Sequence, residues 1–577
     1  MENKNLILAI TLSIGILLLW SILFEAPPLE ESRTNNQVQE SENKTNKNNS
    51  PEIDFNSFDI GDSSISSSEL VSVDESLKKS KRIAIKTPSL SGSINLLGLK
   101  IDDLILEKYN ETLGSELEKI RFLSPADTQS GLEVSFGWIK PEDASFDVPD
   151  SKSLWSIEDE TAILTENNKL KLEWNNQTGQ IFQTFISIDE NYLFDVKQVL
   201  INNSSNEVIV NNNSKIIRKQ SPKLSGMFIL HEGPIGVLEE KLELVDYDDL
   251  KEDKEVLNFE SDNGWIGITD KYWLAALIPN QNISFKSIYA YDDNQGYIAY
   301  FRSLDSYNVK PNSKIEIDSK VFAGAKEAEL LDIYQEKYNI YNFDLAIDWG
   351  WFYFITKPLF YAISYFYQLF GNFGVAIIIL TVITRIVFFP LANWSFISMA
   401  KMKLLQPEMT RLKELHKDDR QQQQQALMAL YKKEKVNPVS GCLPILIQIP
   451  FFFAIYKMLF ISIEMRHAPF YGWIQDLSVK DPTSIFNLFG LIPWDPPSFL
   501  IIGIWPILMG FTMYIQQKLN PAPPDPIQAK IFAFFPLFIT ILLSQFAAGL
   551  VIYWTTNNLL SILQQWIITR RTKVKTN

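Results

Sequence analysis

The sequence predicts a polytopic α-helical membrane protein of six transmembrane helices, with a large all-β sandwich on its outer side and a helical hairpin on its inner side. Three observations predict it. Apolar runs of bilayer length occur at the N-terminus and repeatedly between residues 374 and 567. Between them lies a long stretch of short segments, rich in β-branched and aromatic residues, that tend to alternate with polar ones. Charge divides the same way. Residues 346–577 hold 20 Lys and Arg against 11 Asp and Glu, a formal +9, whereas the preceding residues carry −24 of the total −15. An acidic bulk beside a basic, apolar remainder implies two compartments rather than one large soluble fold.

Residues 1–25 begin MENKNLILAITLSIGILLLWSILF, in which Lys4 precedes an apolar stretch from Leu6 to Phe24. That stretch is long enough to cross a bilayer. A cleaved signal peptide would have a shorter apolar core and a small-x-small cleavage site, so an uncleaved anchor with its N-terminus inside is favoured. Residues 26–57, rich in Asn, Glu, Ser, Lys and Gln, read as a flexible linker.

Residues 58–331 read as strands. LEVSFGWI, KLKLEW, IFQTFISI, YLFDVKQVLIN and KIEIDSKVF are divided by turns such as NNQTGQ, NNSSNE and DDNQG. Such a series implies an antiparallel sandwich, and its place after an N-in anchor puts it outside the cytoplasm. Its one histidine is His231 and its carboxylates are dispersed, so a scaffold or docking domain is favoured over an acid–base enzyme. No cofactor is expected. The single Cys442 excludes a disulfide framework within the chain, and His231, His416 and His467 lack metal-ligand spacing.

Residues 332–371 read as connecting and amphipathic interfacial helices. The aromatics Trp349, Trp351, Tyr353, Phe360, Tyr361, Tyr365 and Tyr367 suit a helix along the membrane surface, with Lys357 reaching water; a full span is the alternative. Residues 372–570 contain five further spans, near 374–392, 442–463, 499–517, 528–546 and 549–567. They enclose an inner hairpin, 395–435, and an outer loop, 464–498, and a basic tail follows at 571–577. The stretch 400–441 holds nine basic residues against five acidic ones. Its charge, the basic tail and Lys4 place hairpin and both termini on the cytoplasmic side. In the hairpin, Met399, Met402, Leu405, Met409 and Leu412 recur at helical spacing, and a second helix near 420–434 carries Leu427, Leu430 and Tyr431. Two readings stay open: a solvated loop with gap-filling methionines, or an adaptable contact surface for apolar segments or a ribosome.

Arg385, in TVITRIVFFPL, sits within a span, where insertion scales assign roughly 2.5–3.5 kcal/mol against an arginine. Thr381 lies one turn earlier on the same face. Gln448 falls in the inner half of the next span and Gln517 at the inner margin of the fourth. Tyr553, Asn557, Ser561 and Gln565 line one face of the last span. The five spans contain no Asp or Glu to neutralise the charge. A snorkelling arginine would explain Arg385 alone. A hydrated groove open to the cytoplasm explains the polar faces as well and is favoured. A cation there can attract a polar or acidic segment of a passing chain while the apolar remainder slides into lipid. No GxxxxGK[ST] motif points to nucleotide use.

The stretches TVITRIVFFPL, SMAKMKLLQPEM, MALYKKEKVNPVSGCLPILIQIPFFFAIYKML, IEMRHAPFYGWIQDLSVKDP, DPIQAKIFAFFPLFIT and GLVIYWTTNNLLSILQQWI closely resemble the YidC/Oxa/Alb family of membrane protein insertases, in its Gram-negative form with a large periplasmic domain. The resemblance implies an inner-membrane insertase and chaperone, not an enzyme, working alone or with the Sec translocon SecYEG and SecDF. Its partners would be nascent membrane proteins, membrane lipids and, weakly, the translating ribosome, and it would function as a monomer. It implies that Arg385 engages substrates and that Tyr514 and Tyr553 contact them, in the groove whose polar residues Thr381, Gln448, Gln517, Asn557 and Ser561 are read above, and that the hairpin contacts incoming chains, for which Met399, Met402, Met409 and Met428 are the candidates. The sandwich would be galactose-mutarotase-like without a working sugar site. One departure is SIFNLFGLIPWDPPSFLIIGIWP, which lengthens the outer loop with an apolar insertion near 485–494, read as a short re-entrant or surface element. A secondary transporter or channel is the rival from another class, and would show paired repeats and a second intramembrane charge. A membrane-anchored carbohydrate enzyme is third.

Overall fold

The computed structural model describes residues 70–576, apart from 115–117, 225–229, 255, 418, 437–442, 495, 498–500 and 521–525. The expected anchor and linker, residues 1–57, lie outside the described residues.

Alternation in the sequence becomes two packed sheets. Side chains on successive strand residues point to opposite faces, so an apolar/polar alternation buries one face. The strand Gln180–Ile188 alternates buried and half-buried residues along its whole length, and Val208–Arg218 alternates buried residues with exposed or half-buried ones as far as Ile216. A ten-stranded antiparallel sheet runs from an edge at Arg82–Lys86 to one at Leu257–Ser261, with Val208–Arg218 between Leu132–Ile139 and Gly296–Ser303. A nine-stranded sheet runs from Lys241–Leu244 to Ser156–Ile157, with the long strand Ser313–Ala325 between Trp273–Ile278 and Leu193–Asn202. Their facing sides enclose Trp138, Phe182, Phe194, Trp265, Phe301 and Phe322. Gly264 turns the chain into the strand Trp265–Thr269 at φ +114°, and a Cβ there would fall 1.9 Å from the Val237 carbonyl oxygen. Gly264→Ala is therefore expected to cost on the order of 2–3 kcal/mol, read as a lowered Tm of the detergent-solubilised chain.

Short helices α1 (Val73–Leu77) and α2 (Tyr247–Asp253) decorate the sandwich. Helix α3 (Ala328–Tyr338) leaves it and leads to α4 (Tyr353–Phe370), which buries Leu359, Phe360 and Ile363 and exposes Phe354, Tyr365, Leu369 and Phe370. Lys357 differs from expectation. Rather than reaching water it pairs with Asp332 at 3.0 Å and Asp344 at 2.6 Å, because α3 and the turn after it bring both carboxylates over α4.

The helical half follows as α5 (Phe373–Val387), α6 (Phe389–Leu404), α7 (Gln406–Leu415), α8 (Arg420–Lys433), α9 (Leu443–Ile461), α10 (Ile504–Leu519), α11 (Pro526–Leu543) and α12 (Ala548–Thr576). The run expected as one span at 374–392 is broken: α5 and α6 meet at Phe388 with a bend of 67°. Pro390 supplies no N–H for the preceding turn and disfavours helical geometry at Phe389. Among the described residues no single helix is long and apolar enough to cross a membrane, whereas the bent α5–α6 pair is so by length and composition. Helices α7 and α8 touch where Gln423 donates to the Lys413 carbonyl at 3.1 Å and the Tyr431 hydroxyl meets Met409 Sδ at 3.8 Å.

Sandwich and helices share one continuous core, from Leu90 through Phe343 and Phe360 to Met458 and Ile552. Polar contacts fasten the joint. Lys457 of α9 pairs with Asp348 at 2.7 Å, and the same carboxylate accepts from the His231 amide at 3.2 Å. Arg466 donates to the carbonyls of Asn110 and Glu111. At the start of α3 the Ala328 amide donates to Glu464 Oε1 at 3.0 Å, while Glu464 Oε2 is buried without a partner. Burial pushes the Glu464 carboxyl up to about 7 from an ordinary 4.5. A folded-state pKa above the unfolded one gives stability that is full below about 4.5 and lost as pH rises through about 7. Glu464→Gln is expected to flatten that pH dependence and to raise Tm at pH 8, measured by thermal scans of both proteins from pH 5 to 8.

Candidate functional site

The site forms where α5, α9 and α12 converge. Arg385 comes in the last turn of α5, half-buried, on the face turned toward α12. Its Nε donates to Asn557 Oδ1 at 2.6 Å and its Nη2 reaches the Asn557 carbonyl oxygen at 3.4 Å. Ser561 donates to that same carbonyl at 2.7 Å, one turn further along α12. Gln448 of α9 donates to the Tyr553 hydroxyl, one turn before Asn557. Thus a helix-period stripe on α12 (553, 557, 561) receives both the arginine and the glutamine.

A cavity of about 40 Å³ opens beside this cluster, bounded by Thr384, Arg385, Phe388, Leu391, Ala392, Gln448, Phe451 and Tyr553. It has polar partners and room for water. Every group that meets the guanidinium among the described residues is neutral, so its positive charge is hydrogen-bonded but not cancelled. A cation held by neutral acceptors keeps its attraction for an incoming anion, and lowered dielectric strengthens it.

The other expected residues are spread more widely. Thr381 is buried and returns its hydroxyl to the Ile377 carbonyl at 2.6 Å, so it packs beneath the cavity rather than lining it. Tyr514 is exposed on α10, and Gln517 reaches the Phe532 carbonyl on α11. In the hairpin, Met399 is buried beside Phe396 and Ile568, and Met409 under Tyr431; Met402 is half-buried and Met428 exposed. Five lining residues, Thr384, Phe388, Leu391, Ala392 and Phe451, are not singled out by the sequence. Thr384, Phe388 and Leu391 stand at spacings of four and three from one another, a signal hidden because the stretch was read as one straight span. Lys457, which the sequence does not single out, pairs with Asp348 at the joint, and among the described residues Arg385 is the cation that lines the cavity.

A second cavity, about 100 Å³, lies on the outer face of the ten-stranded sheet, beside Lys100, Glu133, Asn213 and Lys215. Its carboxylate is engaged: Glu133 accepts from Lys100 at 2.8 Å and from the Ala126 amide at 3.2 Å. His231 is buried elsewhere, with Nε2 3.0 Å from the Pro234 carbonyl oxygen, and burial holds its pKa below the ordinary value. The two do not form an acid–base pair. Among the described residues no cluster could hold a metal ion.

Comparison with known proteins adds the following. A family model described as 60Kd inner membrane protein matches residues 365–576, and one described as YidC periplasmic domain matches residues 82–362. The chain is 48% identical over 576 residues to the membrane protein insertase YidC of Pelagibacter ubique, covering 100% of both. Among solved structures, an active YidC insertase with its first transmembrane domain resolved aligns over 84% of this chain and 92% of that one, at 17% identity and a TM-score of 0.36. A galactose mutarotase related enzyme from Lactobacillus acidophilus aligns over 42% of this chain and 97% of that one, at 9% identity and a TM-score of 0.29.

Proposed function

The chain belongs to the YidC family of membrane protein insertases, and from that premise we propose that it passes apolar segments of newly made proteins from the cytoplasm into the inner membrane through a hydrated groove centred on Arg385. It is an insertase rather than an enzyme, and its sandwich is a YidC periplasmic domain. In this reading α9, α10, α11, α12 and the bent α5–α6 pair cross the bilayer, and the N-terminal anchor makes six spans. Both termini and the α7–α8 hairpin then lie in the cytoplasm, as the basic charge of 400–441 and of the tail requires.

The observation that carries the reading is a guanidinium bound, among the described residues, by Asn557 alone, at the wall of a small polar cavity. An acidic or polar flank of the incoming segment would be drawn to Arg385 and spared part of its desolvation cost. Burial of the apolar segment in lipid, about 25 cal/mol per Å² removed from water, then supplies the driving force without nucleotide. Gln448, Tyr553, Asn557 and Ser561 hold the arginine and the cavity wall in place. Tyr514 and Gln517, away from the cavity on α10, would contact the apolar part of the client along the lipid side. Met428 and Met402 would offer adaptable contacts at the hairpin. Client membrane proteins, lipids, the Sec translocon and transiently the ribosome are its partners, and the monomer is the working unit.

The test is reconstitution. Liposomes containing the purified chain should take up a short acidic-tailed membrane protein into a protease-protected form faster than protein-free vesicles do. Equal uptake would sink the proposal. A ligand-dependent solute flux requiring Arg385 would instead favour a transporter.

A further inference from the structure

The loop between α9 and α10 carries an apolar tongue whose large side chains stay exposed among the described residues. From Pro482 to Trp494 the sequence has no charged residue. Phe486, Leu488, Phe489, Leu491 and Trp494 are all exposed, Leu491 to 83%. An uncharged run of large exposed side chains on a soluble surface would be an aggregation hazard, so its exposure points to an apolar neighbour.

Its backbone is built to leave water. The Phe489 amide donates to the Ser484 carbonyl at 2.8 Å, Ile492 to Asn487 at 3.1 Å, and Leu488 to Ile485 at 3.2 Å. Leu488 and Phe489 take φ of 49° and 59° to close this turn, a conformation bulky residues rarely hold. The turn thus pairs several of its own backbone groups and leaves its large side chains exposed, which lowers the cost of leaving water.

The base is pinned to the outer end of α10. Asp481 accepts from the Trp505 amide and the Trp473 indole, and Thr483 Oγ1 accepts from the Ile504 amide. A Cβ on Gly503 would strike the Asp481 carboxyl at 2.3 Å, so glycine permits this cap. The Ile485 amide donates to the Ile502 carbonyl at 3.2 Å, which joins the tongue directly to the approach to α10.

We infer that residues 485–494 form a lipid-binding tongue that inserts into the outer leaflet beside α10. The inference rests on the reading that α10 and α11 span the membrane. The attachment selects the occupant: the tongue is hydrogen-bonded to the approach to α10, and the spans it adjoins carry exposed Leu508 and Phe511 on α10 and exposed Phe534 and Phe538 on α11, side chains that face lipid in that reading. Such an anchor fixes the outer end of α10 at a set depth.

Spin labels in proteoliposomes test this. In a Cys442→Ser background, single variants Phe489→Cys, Leu491→Cys, Val479→Cys and Phe534→Cys are labelled, and collisions with oxygen are compared with those of a water-soluble nickel complex. Labels at 489 and 491 should favour oxygen several-fold, like 534, whereas the label at exposed Val479 should favour nickel. Aqueous behaviour at 489 and 491 with a lipid signal at 534 overturns the tongue and leaves the spans standing. An aqueous signal at 534 as well removes the spans and the tongue together. Immobilised labels at 489 and 491, shielded from both reagents, would mean a protein occupant and also overturn it.

Discussion

Arg385→Ala is expected to slow insertion of an acidic-tailed client by about ten- to a hundredfold. The range follows from a charge-assisted hydrogen bond, about 1.5–3 kcal/mol, at about 1.4 kcal/mol per tenfold. The fold should survive, because the guanidinium is half-buried at a cavity wall, where water can take its place. Arg385→Lys should keep much of the activity, since the charge persists although the Nε contact to Asn557 is lost. Initial rates of protease-protected product in proteoliposomes measure both variants. A client whose insertion is untouched by Arg385→Ala would limit the role of this charge to acidic segments rather than remove it. If acidic clients were equally untouched, the arginine would have no part in insertion.

The second large effect concerns stability. Asp348 accepts from Lys457, from the His231 amide and from the Gly350 amide, so one carboxylate ties α9 to the sandwich. Removing it takes the carboxylate away from a buried ammonium and from two amides at once, and Asp348→Ala is expected to cost about 3–5 kcal/mol. The double variant Asp348→Leu with Lys457→Met should recover most of that loss, because an apolar pair of similar size has no charge to strand. Thermal denaturation in one detergent distinguishes the two. A single variant as stable as the parent would show that the pair does not fasten the joint.

What the sequence disclosed follows the range of each signal. Strand alternation is local, and segments such as IFQTFISI and KIEIDSKVF became strands with one face buried as their period demands. Arg385 was legible because a lone charge in an apolar run needs a reason. Its partner on α12 was legible as a stripe at residues 553, 557 and 561, although which residue meets the guanidinium depends on helix packing. The bend at Phe388 could have been read from Pro390, but a continuous apolar run masked it. Lys457 with Asp348, and Lys357 with Asp332, join residues 109 and 25 positions apart, and no local pattern reports such pairs. Met399 and Met409 look like surface residues in a helical repeat. Only the packing of α6 on α12 and of α8 on α7 buries them.

Reactivity of cysteines placed at Thr384 and Gln448, in a Cys442→Ser background, tests most directly whether water reaches Arg385 from one side. Oriented vesicles are treated with a small charged thiol reagent from either face. Both positions should react from the cytoplasmic face and stay protected from the periplasmic one. Protection from both faces in a folded, active protein, or reaction from the periplasmic face, would contradict a cytoplasm-open groove.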